Sequence, residues 1–188
     1  PEDTGPGELR RGFVLFGKRS CIRRVRPRGQ RHYGEAMAYT TAEARAQLLD
    51  AIAVAIDAIA DALALLGVAY EQLDDAHADD LEEQLFRPVQ RAYGRAKRTH
   101  AQFAERHGLA GREFVTPMPR APSTGVKGLI DGAVDAVGRA ETELVALQDS
   151  LMPVEVGDAQ LRAGLSEVRE LIGGLSGRAR TFVRTFGR

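Results

Sequence analysis

Cysteine is nearly missing from this chain, since Cys21 is the only one among 188 residues. A single cysteine excludes an internal disulfide and a zinc site built from several thiolates of one chain. We therefore expect a protein of the reducing cytoplasm.

Long uncharged apolar runs are missing as well. Even residues 51–68, the most apolar stretch, are interrupted by Asp57 and Asp61. A membrane-spanning helix needs about 20 predominantly apolar residues, so we predict no transmembrane segment. The apolar residues 12–16 run directly into Lys18 and Arg19, which does not fit a secretory signal.

The chain has no net charge, yet its charges are divided unevenly. Residues 1–36 contain nine basic and four acidic side chains, together with scattered glycine and proline and no hydrophobic period. Such a composition does not bury enough apolar surface to offset the entropy of ordering, so we expect a disordered basic arm over residues 1–39. Its arginines could hold nucleic acid or another polyanion. Alternatively, the native protein starts at Met37 and the arm has no selected role.

Residues 40–188 carry four series of apolar side chains with alternating steps of three and four, the period of helices packed as in a coiled coil. The first series is Leu49, Ile52, Ile56, Ile59, Leu63, Leu66, Tyr70 and Leu73; the second is Phe86, Val89, Tyr93, Ala96, His100, Phe103 and His107; the third is Val126, Ile130, Ala133, Val137, Ala140, Leu144, Leu147 and Leu151; the fourth is Leu161, Leu165, Val168, Ile172, Leu175, Ala179, Phe182 and Phe186. The pattern predicts an all-α domain over residues 40–188, with helices at about 41–73, 79–107, 124–151 and 158–186.

Capping and breaking residues flank these series. Thr40 with Glu43 has capping-box spacing, and Asp158 can cap the fourth helix. Gly108 and Pro153 are typical of helix ends. Pro88 is either a first-turn residue or a kink.

Polar or glycine-rich stretches lie between and within the series. Residues 74–80 are polar, which predicts a turn, and residues 108–123 contain three prolines, which predicts a long loop. Gly173 and Gly174 should loosen the middle of the fourth helix. An antiparallel up-down-up-down four-helix bundle with long helices buries every series. Two long hairpins that dimerise are the alternative.

Charge is predicted to separate by end in such a bundle. Residues 74–83 include six acids and no lysine or arginine, and up-down-up-down packing places them beside the turn that holds Asp149, Glu155 and Asp158. The opposite end would collect basic side chains that could bind an anionic partner. These are Arg95, Lys97, Arg98, Arg106, Arg112, Arg120, Lys127, Arg178, Arg180, Arg184 and Arg188. The alternative is that bases near helix ends only complement the helix dipole.

Motifs for catalysis or cofactor binding do not occur. The chain contains no Gly-rich phosphate loop, no Gly-x-Ser-x-Gly and no HExxH. His100 and His107 share a helix face but lie about 10 Å apart along the axis, too far to bind one ion together. A di-iron bundle needs two Glu-x-x-His motifs, and the sequence offers only Asp74 with His77. We therefore assign no catalytic residue, metal ligand or cofactor. His100 and His107 remain the only candidates for binding a metal.

Three functions remain open after these exclusions. We favour a non-enzymatic scaffold or adaptor of the cytoplasm that binds a protein, itself, nucleic acid or another polyanion at the basic end. The alternative is a metal- or cofactor-binding enzyme or carrier near His100 and His107. A third possibility is a peripheral lipid binder whose hairpins open to expose their apolar series.

Overall fold

The structure, a computed structural model, describes residues 30–118 and 125–186, with residues 30–39 described by their backbone alone. These residues form helices joined by turns and loops, without a strand, which confirms the all-α class. The helices are α1 (Gln30–Tyr70), α2 (Asp75–Leu81), a π-helical turn (Glu82–Phe86), α3 (Arg87–His107), α4 (Val126–Asp149), α5 (Met152–Glu155), α6 (Ala159–Ile172) and α7 (Leu175–Phe186).

The four apolar series form the core, as their spacing predicts. Ile56, Phe103 and Leu165, taken from three different series, are each at most 1% exposed. Five members near the helix ends are only partly buried, namely Tyr70, Leu73, Phe86, His107 and Phe186. Leu151 is the exposed member, at 56%. Its backbone has a φ of 61° because the chain turns there, two residues after α4 ends at Asp149. Helix α4 therefore ends shortly before the predicted boundary, and Pro153 lies in the first turn of α5 instead of closing α4.

Helix α1 begins at Gln30, ten residues before the start predicted at Thr40. The predicted disordered arm thus overlaps this helix at residues 30–39, and its other residues lie outside the described part. Among residues 30–39 only Gly34 has low helix propensity, and there is no proline. Nothing in this stretch therefore ends the helix before Thr40. The turns directly after Thr40 are less buried than the rest of α1, because the core begins only at Leu48.

The polar residues 74–80 are helical from Asp75 onward, which corrects the turn predicted there. Asp74 caps α2, its Oδ1 accepting a hydrogen bond from the His77 amide at 3.1 Å. Such a cap and an acidic first turn stabilise a helix start. The turn between α1 and α2 is short and consists of residues 71–74.

Pro88 lies in the first turn of α3, directly after the π-helical turn. A proline inside a continuous helix lacks an N–H, and its ring crowds the carbonyl four residues earlier. The π turn accommodates both effects by changing the hydrogen-bond pattern locally. The helix is therefore continuous through α2, the π turn and α3, beginning four residues earlier than predicted. Gly108 ends it in the left-handed conformation, with a φ of 62°, as expected.

The fourth predicted helix is divided at its glycine pair. Helix α6 ends at Ile172, Gly174 has a φ of 74°, and α7 begins at Leu175. The apolar series continues across the break, since Ile172 and Leu175 are both buried. Asp158 caps α6 as predicted, with its Oδ1 2.7 Å from the Leu161 amide nitrogen.

Contacts between helices fix their directions. Arg139 of α4 pairs with Asp61 of α1 at 3.2 Å, and Gly132 faces Leu65, so α4 runs antiparallel to α1. The Phe86 side chain of the π turn borders the same cavity as Tyr70, so the chain through α3 also runs antiparallel to α1.

Helix α6 runs antiparallel to α3, because Arg95 bonds Glu167 at 3.0 Å and Arg106 bonds Asp158 at 2.9 Å. Helices α3 and α4 therefore point the same way and α6 runs parallel to α1, which corrects the predicted up-down-up-down order to up-down-down-up. The loop after α3 is the cause, because it runs back along the helices. Its Arg112 pairs with Asp57 near the middle of α1.

Residues Thr40–Tyr70 form the one helix within the described ranges that is long and apolar enough to cross a membrane. This finding rests on length and composition alone, and the core helix of a soluble protein passes the same test. In the structure, 61% of the most apolar window is buried against other helices.

Candidate anion-binding groove

The basic side chains that the sequence assigns to one end do not meet there. Arg106 lies beside Asp158 at the start of α6. Arg180 and Arg184 lie on α7, at the other end of the molecule. The predicted single basic end is therefore not assembled. It relied on the third and fourth helices each running in the opposite direction.

Most of the other predicted cations have local partners. Arg95 bonds Glu167 and Arg112 pairs with Asp57. Lys97 donates to the carbonyl of Phe114 at 3.3 Å. Of the remaining positions, Arg98 is exposed on α3 and Arg178 donates to the Leu171 carbonyl at 3.5 Å. Arg120 and Arg188 lie outside the described residues.

The acidic turns are likewise at opposite ends. His77, next to the acidic start of α2, contacts the ring of Phe186 at 5.4 Å, at the end of α7. Asp158 is at the other end with Arg106. Burial raises the pKa of Asp158, but hydrogen bonds from Arg106 and the Leu161 amide outweigh it and lower the pKa below its usual value.

Three cations do converge in a groove between α4 and α7. The groove has a volume of about 500 Å³. Its lining residues are Lys127, Asp131, Val134, Ser176, Ala179, Arg180, Val183 and Arg184. We call this the α4–α7 groove.

Helical spacing explains why α7 presents both apolar and basic side chains to this groove. Arg180 and Arg184 are four residues apart, as are Ala179 and Val183, so each pair lies on one helix face. On the facing helix, Val134 completes the apolar floor. The arrangement suits a ligand that has negative charge beside apolar surface.

The charge of the groove is unbalanced. Lys127 pairs with Asp131 at 2.7 Å, and both side chains are more than half exposed. Arg180 and Arg184 form no ion pair with any residue that the structure describes. The groove therefore keeps two cationic side chains without a carboxylate partner in this part of the chain. Its rim also includes the start of α4, where Gly125 provides no side-chain cap for the free amides.

The two candidate histidines face different surroundings. His100 is 2% exposed, its ring contacts Phe114 edge to face at 4.9 Å, and its Nδ1 has no hydrogen-bond partner among the described residues. Burial lowers the pKa of His100, and the charge of Arg112 acts in the same direction. His107 is half-buried beside Asp158, with 3.3 Å between Nε2 and Oδ2. Within the described ranges, no group of three or more His, Cys, Asp or Glu side chains could hold a metal ion.

Sequence reasoning named Lys127, Arg180 and Arg184 but missed the residues that complete the groove. Asp131 and Val134 lie on the facing helix, and no sequence signal shows which helix packs against α7. The sequence alone shows only that Arg180 and Arg184 are four residues apart, as are Ala179 and Val183. In comparisons with known proteins, no family model, no curated protein and no solved structure matches this chain.

Proposed function

We propose that this chain is a non-enzymatic helical scaffold or adaptor that holds an acidic segment of a partner protein in the α4–α7 groove. The observation that supports it is that Arg180 and Arg184 lie beside an apolar floor and have no carboxylate partner among the residues that the structure describes. Opposite charge steers a partner to such a surface and sets its register. The single cysteine fits a cytoplasmic location.

The floor of the groove favours an acidic amphipathic peptide over nucleic acid. Val134, Ala179 and Val183 can cover apolar side chains of a peptide helix, in the manner of a helix bound in a groove. Single-stranded nucleic acid binds through aromatic side chains on which bases stack, and the described lining of this groove contains none.

The finer architecture is part of the same proposal. Every neighbouring pair of long helices is antiparallel, and each apolar series faces the common core. We infer one four-helix bundle with coiled-coil-like packing, closed within a single chain. The expected measurement is a monomeric mass by light scattering. A dimer would favour the alternative in which two hairpins associate.

A binding assay tests the groove. The probe is a fluorescein-labelled peptide with glutamate and leucine at helical spacing, and the variant is Arg180→Gln with Arg184→Gln. The matched control is Arg91→Gln with Arg98→Gln, which removes the same charge from exposed positions on α3.

The groove variant should weaken binding about tenfold at low salt. Each exposed charge contributes up to about 1 kcal/mol, and about 1.4 kcal/mol corresponds to a factor of ten. Added salt should weaken the wild-type complex and narrow the difference between the proteins. Equal losses in the groove and control variants would contradict the assignment, and tighter binding of single-stranded DNA than of the peptide would favour nucleic acid.

A metal- or cofactor-binding carrier is the second candidate. One observation favours it: the Nδ1 atom of His100 is buried and has no hydrogen-bond partner among the described residues. Metal analysis of the purified protein, beside the variant His100→Asn, tests it. Metal in the wild type that the variant lacks would support the carrier, and equal content in both would remove it.

A further inference from the structure

The loop that follows α3 is held on the helices by one buried side chain. Within its residues 109–118, which we call the strap, only Phe114 is buried, at 8% exposed. Leu109, beside the end of α3, is half-buried, and the other side chains of the strap are exposed. A segment with so few buried contacts can open while the helices beneath it stay folded.

Two polar contacts add to this anchor. The Phe114 carbonyl accepts a hydrogen bond from Lys97 at 3.3 Å. Arg112 pairs with Asp57 of α1 at 2.9 Å, and both side chains are about half exposed. An exposed ion pair holds a segment weakly, because water and salt screen both charges. The Phe114 ring is therefore the main contact that keeps the strap in place.

The Phe114 ring covers a buried histidine. The rings of His100 and Phe114 meet edge to face, with 4.9 Å between their centroids. His100 is 2% exposed, and its Nδ1 has no hydrogen-bond partner among the described residues. A protonated imidazole carries an N–H on both nitrogens, so a charged His100 in this position would hold a buried donor without an acceptor. The covered position therefore suits the neutral imidazole alone.

The strap also brings a positive charge close to this histidine. Burial lowers the pKa of His100, the charge of Arg112 acts in the same direction, and Asp50 of α1 opposes them only in part. Lifting the strap takes Arg112 away and admits water to the imidazole. Both changes favour the protonated ring, so an open strap binds a proton more readily than a closed one.

The other charged groups on the elements around the imidazole are engaged elsewhere or exposed. Lys97, one turn earlier on α3, bonds the strap, and Asp57 of α1 is held in the ion pair described above. Glu113 is exposed on the strap. Helix α6 also packs on α3, and its Glu167 bonds Arg95.

We propose that the strap is a pH-sensitive latch, which opens when His100 takes up a proton from the solvent. In the closed state Phe114 covers the neutral imidazole. In the open state the Phe114 ring leaves, water reaches the charged imidazole, and the face of α1 and α3 under the strap is uncovered. The latch shares no residue with the α4–α7 groove, so either assignment can fail without the other.

Linkage sets the size of the pH response. In the open state the imidazole has the ordinary histidine pKa of about 6.5, whereas in the closed state it stays neutral. The ratio of open to closed chains should therefore rise about tenfold between about pH 7.5 and 5.5.

Fluorine NMR of the protein labelled with 4-fluorophenylalanine tests the latch. The Phe114 signal reports the strap, and the signal of Phe103, which is fully buried in the core, reports the helices. The variants Phe114→Leu and Phe103→Leu assign the two signals. Relaxation dispersion measures the population of a minor open state. We expect the open population at Phe114 to rise about tenfold over this pH range and the Phe103 signal to stay unchanged.

Three variants assign the response to its cause. His100→Asn keeps a polar side chain that does not titrate, so the pH response should vanish whatever its effect at neutral pH. The matched control is His107→Asn, seven residues further along α3 beside Asp158, which should keep the response. Lys97→Met removes the hydrogen bond to the Phe114 carbonyl, so it should raise the open population at every pH and keep the tenfold response.

Four results would overturn the proposal. The first is an open population that does not respond to pH in either the wild type or Lys97→Met. The second and third are a response that persists in His100→Asn or disappears in His107→Asn, since either assigns the effect of acid to another group. The fourth is an equal change at Phe103, which means that acid loosens the whole bundle and not the strap.

Discussion

Among the glycines that the structure describes, Gly164 of α6 has the tightest surroundings, and its neighbour is Thr99 of α3. A Cβ added at Gly164 would stand 2.2 Å from the Thr99 Oγ1 and 2.7 Å from its Cγ2. Both distances are far below van der Waals contact, and rotation of the threonine cannot clear both atoms. Thr99 is 4% exposed, so it has no free space nearby.

The substitution Gly164→Ala therefore sets two effects against each other. Alanine raises helix propensity by about 1 kcal/mol relative to glycine. Forcing an atom into a packed core costs about 1 to 3 kcal/mol, and this contact is at the severe end. We expect a net loss of about 1 to 2 kcal/mol in the free energy of unfolding, measured by urea denaturation.

A double-mutant cycle isolates the contact. Thr99→Ala removes both atoms that clash and leaves its own Cβ at 3.0 Å from the new methyl group. In that background Gly164→Ala should be close to neutral, a coupling of about 1 to 2 kcal/mol. Gly138→Ala, which meets no atom within 4 Å, should be stabilising by up to about 1 kcal/mol. A stabilising Gly164→Ala, or a cycle without coupling, would refute the close packing of α3 on α6.

Substitutions at three further positions test other features of the fold. Leu151→Gly should stabilise the protein by about 0.5 to 1 kcal/mol in urea denaturation, because a left-handed backbone costs a non-glycine residue about 1 to 2 kcal/mol, and a loss would show that its side chain matters more. The lowered pKa of His100 means that the unfolded chain binds a proton first, so stability should fall as pH drops below about 6.5, the ordinary histidine pKa. Denaturation of His100→Asn between pH 7 and pH 5 should show a flatter profile than the wild type, and parallel profiles would contradict this cause. Asp158→Ala removes the cap of α6 and the ion-pair partner of Arg106, so it should lower the free energy of unfolding by about 1 to 2 kcal/mol. Asp158→Asn can still cap the helix and should cost less. Equal losses in the two variants would assign the effect to charge alone.

The sequence predicted the helices better than it predicted their ends. Series such as Ile56, Phe103 and Leu165 identify buried faces because the period of a helix is fixed by its backbone geometry. Boundaries depend on weaker local preferences. The Thr40 and Glu43 spacing, which suggests a helix start, lies inside α1, and the polar residues 74–80 join a helix because Asp74 caps it.

Only part of the α4–α7 groove could be predicted from the sequence. The spacing of Arg180 and Arg184 places them on one face of a helix. Two other features depend on which helix packs beside α7: the lack of a carboxylate partner for either arginine among the described residues, and the position of Lys127 and Val134 next to them.

What the sequence by itself determined is the all-α class, the faces that the helices bury, and the Asp158 cap and Gly108 end, because each depends on neighbours within one or two helical turns. The tertiary structure decided the directions of the third and fourth helices. The long loop after Gly108 runs back along α1, so that α4 begins near the C-terminal end of that helix and the helices that follow α4 are reversed with it. This reversal separates Arg106 from Arg180. The position of a charge on the surface depends on which helix ends meet, and local sequence does not encode that.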